Sequence, residues 1–381
     1  MTEPMTSRER LLTAMTGGTP DRVPCTPDFS NMIPCRLTGK PFWDIYLNDD
    51  PPLWRAYIAA AEHFGIDAWF PYGQLDYQWP DTVRHEHEIV SRTAERIVRR
   101  TRTITPDGEL TSETTFLVGD PPSPTENPVK DLREQFAIVR HLFREPTGYT
   151  TETARMQKAE LGEKHAFAAG VGTPGFQAWV RLCVGGIEPL AYAAADCPEL
   201  LDEMYELNER AALRQTEMII DSGLFDYVLV GMSGGITLGS PDLFDRYCLP
   251  AIAKITRLCR QAGLPTMLHC CGKEMHLVAR CVERTDLDCV NPLEVPPMGD
   301  CDLAEVKRLY GGRIALMGNL HTTDVMLRGS VEFVKAAARK AIDDAAKGGG
   351  FILSTGDQCG RDTPDANLFA LVEVCKTYGR Y

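Results

Sequence analysis

From about residue 165 onward, short apolar runs alternate with longer amphipathic ones, and no other feature restricts the fold so tightly. The apolar runs fall at 166–170, 227–231, 266–269, 289–291, 314–318 and 350–355. Helical periodicity covers 188–195, 198–222, 241–262, 273–284, 302–309 and 331–347. Strands this short and this apolar belong to a parallel sheet covered by helices on its faces. A closed eight-stranded barrel and an open doubly wound sheet share that rhythm. No G-x-G-x-x-G follows a first strand, and polar residues recur after strand upon strand. Both facts favour an α/β chain folded as a (β/α)8 TIM barrel, whose strands all feed one mouth.

The front of the chain is less regular. A short helix opens at Ser7 and stops at Gly17-Gly18, a proline-rich extended stretch runs from Pro20 to Pro52, and a helix spans 53–64. Residues 1–65 are therefore expected as an N-terminal extension. Pro106-Asp107-Gly108 separates two alternating runs within 85–118, which predicts a solvated β-hairpin excursion. The whole of 1–381 is expected as one barrel domain.

Charge narrows the partners. The 40 basic residues stand against 53 acidic ones, a net charge of −13, which disfavours nucleic acid and anionic membrane surfaces. No apolar run approaches the roughly 20 residues of a membrane span, and the N-terminus lacks an export signal. A cytoplasmic location is expected. The 13 cysteines are then not a disulfide framework, and most sit in apolar segments as small buried hydrophobes.

A minority of cysteines sit at strand ends. Ser233-Gly234-Gly235, His269-Cys270-Cys271-Gly272, Asn291-Pro292-Leu293-Glu294, Gly318-Asn319-Leu320-His321 and Thr355-Gly356-Asp357-Gln358-Cys359 each follow an apolar run. A barrel brings these five to one face. His269 and Cys271 are two apart, so on an extended strand end they point to one side, and Cys359 arrives from the last strand. One imidazole and two thiolates suit zinc and leave a fourth position open, the pattern of a catalytic site. The alternative is a buried, hydrogen-bonded His269 beside inert thiols. Trp69, Tyr72, Tyr77 and Trp79 form an aromatic stretch that serves either the core or a pocket wall.

Several segments together carry a resemblance. They are Gly239-Ser240-Pro241-Asp242-Leu243-Phe244, Leu268-His269-Cys270-Cys271-Gly272, Asp288-Cys289-Val290-Asn291-Pro292-Leu293-Glu294, Ala315-Leu316-Met317-Gly318-Asn319-Leu320, Gly349-Gly350-Phe351-Ile352-Leu353-Ser354-Thr355-Gly356 and Thr363-Pro364-Asp365-Ala366-Asn367. Their order resembles the uroporphyrinogen decarboxylase superfamily, densely over 226–375 and more weakly over 7–35, which implies a (β/α)8 barrel. The decarboxylase branch grips a tetrapyrrole with an arginine-rich N-terminal motif, whereas residues 21–40 here hold only Arg22 and Arg36. The chain is more similar to the cobamide-dependent methyltransferase branch, whose His-x-Cys and later Cys ligate zinc.

That branch implies Zn2+ on His269, Cys271 and Cys359, with a cobamide presented by a separate corrinoid protein and a small methylated substrate. Many members place the last Cys where this chain has Asp357. Three outcomes stay open: Cys359 reaches the metal, Asp357 replaces it, or no zinc binds. Glu294, Asn291 and Asp357 are the candidate catalytic residues, Glu294 as a carboxylate completing the metal shell. Gly234, Gly235, Asn319 and His321 are expected on the rim that meets the cobamide, with plain turn formation as the competing role of the glycines. The form Gly356-Asp357-Gln358-Cys359-Gly360-Arg361-Asp362 resembles bacterial O-demethylase methyltransferases acting on aryl methyl ethers. The alternatives are transfer from a methylcobamide to a thiol, and decarboxylation.

Overall fold

The computed structural model describes residues 4–381; the first three residues of the expected extension lie outside the described residues. Six parallel strands pair in chain order: Ala168–Gly172, Tyr227–Gly231, Thr266–His269, Cys289–Asn291, Ala315–Leu320 and Phe351–Thr355. The ring is completed by two irregular segments from the front of the chain. Segment 22–26 meets the last strand through a Cys25–Leu353 bridge, and segment 66–73 meets the first through Gly73–Ala169. The Asp67 N–H donates to Cys25 O at 2.8 Å and so joins the two segments. The fold is a TIM barrel, with one extra stave drawn from the stretch that reads in sequence as proline-rich and extended, and the other from the aromatic stretch after the helix 53–64.

Helices cover the outside, and their ends follow capping rules. Thr6 and Glu9 form a capping box at Ser7–Met15: Glu9 N–H donates to Thr6 Oγ1 at 3.2 Å, and Thr6 N–H donates to Glu9 Oε2 at 2.8 Å. The 25-residue helix Pro198–Ser222 starts with proline in its first turn and ends at Gly223, whose φ of 60° suits glycine. The periodicity over 241–262 predicts one helix. The structure has two, Pro241–Tyr247 and Leu249–Gln261, broken at Cys248. Pro250 explains the break: it lacks an N–H and crowds the preceding residue, so it fits a first turn and not an interior.

The excursion is larger than a hairpin. Arg84–Arg92, Arg96–Thr105, Gly108–Leu117 and Ser123–Glu126 form a four-stranded antiparallel sheet in chain order. Pro106-Asp107 makes the tight central turn, between paired Thr105 and Gly108. One face is not solvated, since Leu110 joins a second apolar cluster with Phe176, Trp179 and Leu190. Two short helices, Met32–Leu37 and Phe42–Asn48, also occupy the stretch expected to be extended.

The base of the barrel carries a buried ionic clamp. Arg10 Nη1 reaches Asp67 Oδ1 at 2.7 Å, Arg22 Nη1 reaches Asp67 Oδ2 at 2.6 Å, and Cys25 N–H donates to the same carboxylate. Arg10 and Asp67 are buried. Two cations and several donors around one carboxylate meet the condition for burying charge.

Candidate functional site

At the opposite end, three strand-end side chains converge. One ligand atom each from His269, Cys271 and Asp357 lies within 4.8 Å of the others. Donors around one ion at bond lengths of about 2.0–2.3 Å stand closer than that, so the three would draw together by small side-chain rotations on binding. His269 ends its strand, and Cys271 shares its side two residues later. Cys270 falls on the other side, buried beside Gly235. Asp357 comes from the turn after Phe351–Thr355 and holds φ at 100°, a conformation that L side chains rarely adopt. Thr355 Oγ1 donates to Asp357 O at 2.8 Å and helps hold the turn. Strained backbone kept by its surroundings is common at working sites.

The surroundings prepare these groups. His269 Nδ1 stands 2.6 Å from Asn291 Oδ1, which accepts a hydrogen bond from Nδ1–H and so leaves Nε2 with its lone pair toward Asp357 at 3.9 Å. This is how metal-binding imidazoles are usually oriented from behind. Glu294 accepts the Gly272 N–H. Behind it, buried Glu274 accepts the Glu294 N–H at 3.0 Å through Oε2, while its Oε1 is buried without a hydrogen-bond partner.

The electrostatics are those of an anion-rich site. Burial pushes the Glu294 carboxyl up, and Asp357 adds to the effect against the Gly272 N–H and His269. Burial likewise raises Asp28, with His269 opposing and Asp357 adding. The Cys271 thiol is pushed up to about 12, first by burial and then by Asp357. Among the described residues no Lys or Arg forms an ion pair with Asp28, Glu294 or Asp357; the one such contact is His269 to Asp357. Carboxyls raised together without a cation favour binding one.

Other expected residues stand elsewhere. Cys359 is outside the donor group: it is fully buried, its thiol meets the Thr355 and Thr363 hydroxyls, and burial lifts it to about 12. Its N–H donates to Asp28 O at 2.7 Å, so it ties the last strand's turn to the first segment. Asp357, not Cys359, is the residue grouped with His269 and Cys271. Gly234 and Gly235 are buried in a turn, Gly234 at φ 70°, rather than laid open on a rim. Asn319 Nδ2 donates to Leu293 O at 3.1 Å, and His321 Nδ1 caps the following turn by accepting from Thr323 and Asp324. Both line a separate cavity with Asp300 and Lys340.

The cavity beside the donor group, about 440 Å³, is lined by His269, Asp28, Trp69, Gln177 and Arg181 among others. Of the aromatic stretch, Trp69 belongs to this wall, its ring 6.4 Å from that of His269. Asp28 went unrecognised in the sequence because it follows a stave hidden among prolines. Its one signal is position, two residues beyond the short run Val23-Pro24-Cys25-Thr26.

Comparison with known proteins agrees with this architecture. Residues 110–378 match the family model described as Uroporphyrinogen decarboxylase (URO-D). The chain is 27% identical over 183 residues to the methylcobamide:CoM methyltransferase MtbA of Methanosarcina mazei, covering 48% of this chain and 49% of that protein. It is 24% identical over 180 residues to the methylcobamide:CoM methyltransferase MtaA of Methanosarcina barkeri, covering 47% and 50%. The chain thus spans about half the length of the curated relatives it matches. A solved methyltransferase from Methanosarcina mazei superposes with a TM-score of 0.66 over 98% of this chain and 99% of its own, at 18% identity, which is a likeness of fold. No helix among the described residues is long and apolar enough to cross a membrane.

Proposed function

The chain belongs to the uroporphyrinogen decarboxylase (URO-D) family, and we propose that within it this protein is a zinc-dependent methyltransferase. It moves a methyl group from a small donor, an aryl methyl ether, to the cobamide of a separate corrinoid protein. The observation that carries this reading is the donor group His269, Cys271 and Asp357 at the barrel mouth, with Glu294 beside it. One nitrogen, one sulfur and one oxygen suit zinc, and three protein ligands leave a position for substrate. The matching regions of two relatives named for methylcobamide chemistry support the reaction class.

Zinc bound there supplies Lewis acidity toward the donor's oxygen, while the cobamide supplies the seat for the methyl group. The chain's own residues do the rest. Asn291 keeps His269 in the tautomer whose Nε2 faces the site. Cys271, whose thiol is held up by burial and by Asp357, gives up its proton when a cation binds. Asp28, a buried, raised carboxyl, lines the cavity in which the leaving oxygen would be released.

A second reading, transfer from a methylcobamide to a thiol, is favoured by the names of the same relatives. A tetrapyrrole decarboxylase would need several cations at the mouth, and Arg181 is the one guanidinium lining this cavity. The test mixes the zinc-loaded protein with a methoxylated aromatic and cob(I)alamin, and methylcobalamin should appear in the corrinoid spectrum. Failure with every aryl ether, alongside success for a thiol plus methylcobalamin, would replace the first reading by the second.

A further inference from the structure

We infer that the small substrate carries an anionic head, a carboxylate or sulfonate, gripped by Arg181 while its other end lies at the His269 group; this rests on the proposed transfer reaction for what happens at that end. Arg181 follows the helix Phe176–Trp179, which rises from the strand Ala168–Gly172, and it lines the same cavity as His269. It is exposed, and among the described residues it forms no ion pair or side-chain hydrogen bond. With Asp28 and His269 it completes the set of ionisable side chains on the cavity wall. The chain's net charge of −13 repels small anions at long range, so holding one requires a local cation free of carboxylates. A guanidinium meets a carboxylate or sulfonate through two parallel N–H···O bonds, which fixes orientation as well as charge.

The floor between the two ends is built of glycine. Gly172 pairs in register with Gly231, and Gly231 with His269, so the three form a row across neighbouring strands at the mouth. Two strand spacings place Gly172 about 9–10 Å from His269 along that row. A Cβ at Gly172 would meet nothing within 4 Å, and one at Gly231 would meet only Val171 O at 3.9 Å. Their backbones therefore do not need glycine for want of room. The missing side chains leave an open shelf from the strand Ala168–Gly172, which precedes the helix leading to Arg181, across to the imidazole.

Binding is measured on the zinc-loaded full chain by titration calorimetry without any corrinoid, which separates this inference from the reaction. The probes are 4-methoxybenzoate against neutral 4-methoxybenzamide, and 2-mercaptoethanesulfonate against 2-mercaptoethanol. One charged probe should bind about tenfold or more tightly than its neutral partner, and Arg181→Gln should erase that preference while zinc content stays the same. Arg181→Lys should retain part of it. Gly172→Val, which fills the shelf, should weaken both members of the pair. Preference for the carboxylate marks the anion as part of the methyl donor; preference for the sulfonate marks it as part of the thiol. Equal binding of charged and neutral probes, or a preference that survives Arg181→Gln, overturns the inference. So does an Arg181→Gln defect confined to assays with the corrinoid protein, which would make Arg181 a docking contact. A charge preference without methyl transfer from any donor would instead reject the reaction and leave the anion site standing.

Discussion

The two ends of the barrel bury carboxylates in opposite ways. At the base, Asp67 is flanked by Arg10 and Arg22 and takes a backbone N–H as well, so its charge is answered inside the fold. At the mouth, Asp28, Glu294 and Asp357 gather with His269 and Cys271 and have no Lys or Arg partner among the described residues. A buried pair that closes on itself stabilises one conformation and has nothing left to offer a ligand. An acidic group left open costs stability and is repaid only when something positive arrives. The difference separates a cluster that answers its own charge from one that leaves its charge open.

The comparison breaks first at the base. Arg10→Met should cost about 3 kcal/mol, because it removes one of the two cations that answer buried Asp67 and leaves Arg22 to hold it alone. Urea unfolding reads the loss, and zinc bound per folded molecule should not change. At the mouth, Cys271→Ala should lower zinc affinity by about a thousandfold, close to 4 kcal/mol, with an unaltered far-UV spectrum. Cys270→Ala should leave affinity near that of the parent, since Cys270 faces away. A metal titration decides between them, and equal losses from both would dissolve the donor assignment. Asn291→Ala should weaken zinc by about 10–100-fold through the loosened imidazole; an unchanged affinity would show that His269 needs no support from behind.

The smallest effect is a slope with pH. Glu274 is buried, its carboxyl is held well above the usual range by burial, and one of its oxygens is unpaired. Such a group binds its proton more tightly folded than unfolded, so it costs nothing below the ordinary carboxyl range. The cost grows as pH rises through the interval up to the folded value. Glu274→Gln should therefore stabilise the metal-free protein increasingly from pH 5 to pH 8, read as a widening gap in urea midpoints. A gap that narrows with rising pH would place the burden on another group.

Much of this architecture is legible in the chain because its rules are local. Strands such as Tyr227–Gly231 and helices such as Pro198–Ser222 announce themselves by apolar period, proline starts and glycine stops. The first two staves do not. Segment 22–26 holds Pro24 and pairs with its neighbours through few backbone contacts, so it lacks a strand's pattern and depends on the completed barrel for its shape. The site divides in the same way. His269 and Cys271 are readable from a spacing of two on a strand end, whereas the grouping of Asp357 with them, and of Cys359 with the core, depends on the path of a loop that includes a residue at positive φ. No composition or periodicity reports that path. Arg181 and the glycine shelf are invisible for a related reason: they acquire meaning from register between strands distant in sequence.

The two irregular staves have a mechanical consequence. Six strands share continuous ladders, while each front segment holds its strand neighbour by a lone bridge, so the hoop is stiff around most of its circumference and compliant over one arc. The compliance is also graded along the axis. The Arg10–Asp67–Arg22 clamp pins that arc at the bottom, and at the top it ends in Asp28 and Trp69 on the cavity wall. Widening should then act as a flare, not a uniform dilation, the lip beside His269 giving way before the far strands, which share continuous ladders. Amide exchange should map that gradient, fastest for the backbone just beyond Thr26 and Phe70 and slowest along Phe351–Thr355.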